Sequence, residues 1–242
     1  MTAATSVLLA LPVLIGALTQ RTTGLGFGLV GGPLMVAAVG PHIGVSMSNA
    51  LSMVLCAVVL ARTWRDTDWR SVLMLAVPAI AVIPLGALVV GAAPPGPLLV
   101  LVGSMVVLAV GITALADRHR LLRGVPGALV AGALSGFMSV TAGVGGPMVS
   151  VYALSERWTR RVLIPTAQAY LLAVNVVSLL SKGIPPVPWL GWACAGAALL
   201  VGALAGEWLD KRIAARTGRR LIIVVALLGG AAAVVRGLLM LG

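Results

Sequence analysis

The sequence is poor in charge. Only 10% of its 242 residues are charged, against about 25% in a typical soluble domain. Acids are scarcer still, six Asp and Glu in all, while 60% of residues are hydrophobic. An ordinary soluble domain is excluded, and so is a disordered chain, which needs high charge and low hydrophobicity. Two histidines and two cysteines form no cluster with metal-ligand spacing. No Gly-x-Ser-x-Gly nucleophile motif and no Gly-x-x-x-x-Gly-Lys phosphate loop is present. Neither an enzyme nor a cofactor is expected. Cys56 and Cys194 both lie in apolar runs and read as packing residues. No basic region precedes the first apolar stretch, so a cleaved signal peptide is not expected.

What the chain has is apolar runs, at about 5–20, 26–39, 45–61, 71–91, 97–116, 125–140, 145–154, 162–181, 187–206 and 221–241. Six of them reach the ~20 helical residues that cross a bilayer core ~30 Å thick. The other four are short and form two pairs, each hinged on glycine. The runs are continuous rather than alternating, which argues against a strand barrel. The expected fold is therefore an all-α polytopic membrane protein.

The net charge of +11 would suggest nucleic acid in a soluble protein. Here the cations sit between apolar runs and report orientation instead, and no nucleic-acid partner is expected. Segments 62–70, 117–123 and 155–161 hold three arginines each, and 207–220 holds five basic residues. Connections 40–44, 91–97 and 182–188 hold a single lysine, Lys182. The positive-inside rule puts the first group in the cytoplasm and the second outside, in a bacterial inner membrane with both termini external. The six tryptophans flank these connections, where an aromatic belt is expected.

Threading the chain through these sides gives two halves, 1–118 and 119–242. Each is a short broken or re-entrant pair followed by three transmembrane helices, and the two have opposite orientation. Val30-Gly31-Gly32-Pro33 recurs as Val144-Gly145-Gly146-Pro147, and Gly16-Ala17-Leu18-Thr19 as Gly132-Ala133-Leu134-Ser135. Inverted repeats with broken helices are a transporter signature, with the binding site near the midplane between them.

The two glycine segments, Gly24–Pro33 and Thr141–Pro147, have two readings. Glycines four apart, at 24, 28 and 32, allow close helix packing. Alternatively each break exposes backbone N–H groups at a half-helix start, with Pro33 and Pro147 in the first turn, making an anion site. Arg21 follows a helix of ~24 Å. It lies either deep in the membrane, as a functional group, or snorkels to the surface if the pair spans fully. The expected substrate-binding set is Arg21, Thr22, Thr23, Gly31, Gly32 and Asn49 from the first half. Ser139, Thr141, Gly145, Gly146, Gln168 and Asn175 complete it from the second. The amides and hydroxyls among them also serve as interhelical hydrogen-bonders. No carboxylate falls deep in a span, so the path reads as electropositive and suits a small anion.

These features resemble the sulfite exporter TauE/SafE family of permeases. The likeness rests on the glycine breaks Gly24–Pro33 and Gly143–Pro147 and on the polar starts of the following spans, Ser46–Asn49 and Thr166–Gln168. It covers essentially the whole chain. The commonest family pattern has three glycines and a later proline, whereas both halves here have two glycines followed directly by proline. The resemblance implies a carrier or facilitator for a small sulfur-containing anion such as sulfite, thiosulfate or an organosulfonate, working by alternating access. Related thiosulfate importers use membrane cysteines, a role not transferred to Cys56 and Cys194. The rivals are a permease of the same architecture for a neutral or cationic metabolite, and a non-transporting scaffold. The partners expected are the anion and the lipid bilayer. Glycine and alanine faces leave both a monomer and a homo-oligomer open.

Overall fold

The computed structural model describes residues 3–23, 26–116, 122–210, 212 and 215–241. Within these it describes the side chains of all but 3–8, 21–23, 26, 114–116, 210 and 215–222. The described residues form ten α-helices and no strand. The first half holds α1 (Ala3–Thr23), α2 (Gly26–Val39), α3 (Pro41–Thr63), α4 (Trp69–Ala92) and α5 (Pro95–Ala116). The second holds α6 (Gly124–Ala142), α7 (Gly146–Ser155), α8 (Arg160–Lys182), α9 (Trp189–Asp210) and α10 (Ala215–Leu239).

Six helices are long and apolar enough to cross a membrane: α3, α4, α5, α6, α8 and α9. Leu73, Val77, Leu88, Leu180 and Leu204 are exposed on them, as expected of side chains meeting lipid rather than water. Trp64, Trp69, Trp189 and Trp208 are exposed near helix ends, at the level of an aromatic belt.

The first helix of each pair is longer than its apolar run. Helix α6 passes beyond residue 140 to Ala142, and α1 passes beyond residue 20 to Thr23. In α6 a hydroxyl explains the extension: Thr141 Oγ1 donates to Phe137 O (2.6 Å), and a threonine bonded to its own helix need not end an apolar segment.

Two ends of the bundle are distinct. At the arginine-rich end Asp68 caps α4, accepting from the backbone N–H of Arg70 and Ser71, which contributes about 1 kcal/mol. The Asp68 N–H donates across to Thr166 Oγ1 of α8 (3.0 Å), and Arg161 pairs with Asp66 at 2.8 Å. Gly124 N donates to Glu156 Oε1 (2.7 Å), so the pair α6–α7 leaves and returns at one end. At the opposite, proline-rich end Gly40, with φ +85°, turns the chain into Pro41 at the first position of α3. Arg236 Nη1 donates there to Ala37 O.

Glycine sets the closest helix contacts. On α6, a Cβ at Gly136 would lie 2.7 Å from the Ala79 Cα of α4, and one at Gly132 would lie 2.8 Å from Pro78 Cγ. A Cβ at Gly237 on α10 would lie 2.7 Å from Gly96 O of α5. Small residues four apart are the standard means of bringing membrane helices together. Gly136→Leu is expected to lower stability in detergent by at least ~2 kcal/mol, because backbone, not a rotatable side chain, occupies the space. Gly111, with open space around it, is the control: Gly111→Leu should stay within ~0.5 kcal/mol. Thermal melts of both variants beside the wild type decide it.

Candidate functional site

Helices α3 and α8 pack together and are both 23 residues long. Ser52 and Leu171 lie at their midpoints. There the chain encloses a small polar cavity of about 10 Å³, about the volume one water centre needs. Gln20, Gly28, Ser52, Ser139, Gly143 and Asn175 line it, with Gly145, Gly146 and Leu171.

The second-half break builds one wall. Gly143 ends α6 in the left-handed region, φ +71°, with its N–H on Ser139 O at 2.9 Å. Such a residue is most often glycine, since a Cβ is penalised there. Gly145 caps α7 and Pro147 occupies its first turn, as the motif predicts. Ser135 Oγ donates to Gly145 O (2.5 Å) and anchors the break to α6. The N-terminus of α7 thus opens on the cavity and brings the positive end of its dipole.

In the first half the same motif behaves differently. Pro33 lies inside α2 rather than in its first turn. The helix begins before the Gly-Gly-Pro motif, and Phe27 N donates to Gln20 Oε1 (2.9 Å) across the α1–α2 turn. Gly28 is pressed against Gly143 O and Val144, so the two hinges meet. For Gly28 and Gly32 close packing is what the structure displays.

Of the expected site residues, Ser139, Gly145, Gly146 and Asn175 line the cavity. Asn175 Nδ2 donates to Ser52 Oγ (3.2 Å). Gln168 is buried below them and accepts from Gln20 Nε2 (3.3 Å). With its amide turned so that donors meet acceptors, Asn49 donates to Ser139 O (3.3 Å) and accepts from Lys182 Nζ (3.1 Å). Gly32 faces Ser48 and the carbonyls of Ala142 and Gly143. The Ser48 hydroxyl is buried there without a hydrogen-bond partner among the described residues. Two residues turn elsewhere. Gly31 packs on Gly16 and Pro12 O within the first pair, and the Thr141 hydroxyl meets Phe137 O and Met105 Sδ. Arg21, Thr22 and Thr23 end α1, and their side chains lie outside the described residues.

The sequence reading missed Gln20, Ser52 and Lys182. A signal for the last was present: Gln168, Asn175 and Lys182 are seven apart and share one face of α8. Lys182 Nζ reaches α6 and donates to Val140 O (2.9 Å). It also lines a cleft of about 360 Å³ at the proline-rich end, with His42, Ser46 and Ser181.

A multi-pass helical membrane protein with a buried polar site between broken helices is the class that this fold and this site define. The Sulfite exporter TauE/SafE family model matches residues 8–233. The chain belongs to that family, and is therefore a membrane transporter, in agreement with the expectation that it is not an enzyme. Comparison with curated proteins and with solved structures returned no match.

Proposed function

We propose that the protein carries a small sulfur-containing oxyanion, such as sulfite, thiosulfate or an organosulfonate, across the bacterial inner membrane by alternating access at this cavity. The observation that carries the reading is the lining itself. Amides, hydroxyls, glycine backbone and the α7 N-terminus surround the cavity with no carboxylate among them. Such groups stabilise negative charge and offer a cation nothing stronger than neutral oxygens. At about 10 Å³ the cavity is in a closed form, and an oxyanion enters only when the hinges part.

The halves 1–118 and 119–242 act in this scheme as inverted repeats. Helix packing supports the exchange: α1 lies on α9 as α6 lies on α4, and α2 on α10 as α7 on α5. Helices α3 and α8, and α5 and α10, pack as counterparts. The α4–α8 contact is the largest without such a partner among the described residues. Rocking one half against the other would open the cavity to alternate sides. The arginine-rich end is then cytoplasmic and both termini are external.

Proteoliposomes holding the purified protein should release trapped sulfite or thiosulfate at least about tenfold faster than protein-free vesicles. An excess of alkylsulfonate should compete, and amines should not. Competition by amines alone would move the assignment to the cationic or neutral permease, and a flux equal to that of empty vesicles would leave only a scaffold.

A further inference from the structure

We infer that the cleft at the proline-rich end is a loading site for the transported anion, with Lys182 as its recognition residue and its link to the closed cavity. The inference rests on the anion reading above and adds a second site to it.

The cleft, about 360 Å³, is large enough for an oxyanion with part of its hydration shell, and Lys182, Ser181, Ser46 and His42 face it. A lysine closing a helix ordinarily snorkels to water or meets the last carbonyls of its own helix. Lys182 does neither. Its ammonium crosses to Val140 O of α6 (2.9 Å) and to the Asn49 side-chain oxygen of α3 (3.1 Å). Both partners are neutral. The chain's six carboxylates are Asp66, Asp68, Asp117, Glu156, Glu207 and Asp210. Among the described residues the cleft lining holds no carboxylate, and Asp66, Asp68 and Glu156 lie at the opposite, arginine-rich end of the bundle. A half-buried cation held only by neutral oxygens is costly to maintain. An arriving anion supplies the missing counter-charge and forms the stronger, charge-assisted bond.

The route inward follows the same bonds. Lys182 holds Asn49, and Asn49 donates to Ser139 O (3.3 Å). Ser139 lines the cavity, and its carbonyl also receives the hinge N–H of Gly143 at 2.9 Å. An anion that draws the ammonium toward itself frees the Asn49 oxygen. That loosens the contact between α3 and the second hinge, so loading and opening are coupled through one side chain.

The test is sulfite flux in proteoliposomes, with thiosulfate and methanesulfonate in parallel, started from the side of the cleft. Lys182→Met should raise the half-saturation concentration at least about tenfold, while Lys182→Arg, which keeps the charge, should stay within about threefold. Because loss of the Asn49 and Val140 bonds could also disturb folding, a second variant decides independently. K182C is made with Cys56→Ala and Cys194→Ala, then alkylated with 2-bromoethylamine. The product carries an ammonium on a side chain of lysine's length, through a thioether that sulfite does not cleave. Transport should return after this treatment and not after alkylation with iodoacetate. Wild-type flux with unchanged half-saturation in Lys182→Met, or no recovery in aminoethylated K182C, overturns the loading site and leaves the anion reading standing. Wild-type vesicles that carry none of the three anions overturn both.

Discussion

Gly28→Ala is expected to cut sulfite flux per folded molecule by more than about tenfold. The methyl would fall on Gly143 O, with Gly143 C at 3.4 Å and Val144 Cα at 3.6 Å. All three atoms belong to the backbone of the opposite hinge, so no side chain can rotate away. Gly143 cannot shift freely either, because its left-handed conformation terminates α6 and its N–H is held by Ser139 O. The α2 helix must retreat, at about 1–3 kcal/mol for overpacking, and the cavity between the hinges loses its closed form. The matched control is Gly40→Ala. Gly40 has φ +85° but nothing within 4 Å of an added Cβ. With ψ 165° it lies in an extended positive-φ region that is essentially glycine-only, so the variant should suffer backbone strain alone, about 1–3 kcal/mol, and transport normally once folded. Flux normalised to the folded fraction separates the two. Wild-type rates in Gly28→Ala would mean that the contact between the hinges plays no part in transport.

The two hinges also mark where local rules in the sequence sufficed. The second was legible because each residue obeys its own preference: Gly143 adopts a positive φ, Gly145 caps, and Pro147 begins α7. Val30-Gly31-Gly32-Pro33 has the same letters, yet lies within α2. Proline inside a helix gives up a backbone hydrogen bond, so the motif alone pointed to a helix start. Packing overrides it. Val30, Met35 and Val36 are wholly buried, and α2 is enclosed by α1, α3 and α10. The motif marks Gly31 as a binding residue, its backbone N–H exposed at a half-helix start. In the structure it serves close contact with Gly16, a distinction that spacing does not carry. The family was recognisable from the glycine breaks and span starts, and the match over residues 8–233 bears this out. Lys182 escaped because counting cations in connections treats each as a topology marker. Its place on the Gln168–Asn175 face of α8 is a matter of helical phase, and its reach to Val140 depends on a helix 42 residues away in sequence.

Asn175→Asp should discriminate most sharply between an anion and any other cargo. Asn175 lines the closed cavity and its Nδ2 donates to Ser52 Oγ at 3.2 Å. Aspartate has the same shape, and the Ser52 hydroxyl can reverse its role and donate to the new carboxylate. Packing is therefore preserved while the sign of the site changes. A carboxylate ~4 Å from a bound monoanion opposes it by about 4 kcal/mol at an effective dielectric constant near 20. That corresponds to nearly a thousandfold in occupancy. Sulfite and thiosulfate flux should fall toward the background of empty vesicles. Asn175→Ala, which removes one hydrogen bond worth about 1 kcal/mol, should cost no more than several-fold. A permease for a neutral metabolite would show little difference between the two variants, and one for a cation would gain from the carboxylate. The anion reading requires the order wild type, then Asn175→Ala, then Asn175→Asp, in sulfite flux normalised to protein that melts as the wild type does. If Asn175→Asp carries sulfite as well as Asn175→Ala, the anion does not pass through this cavity.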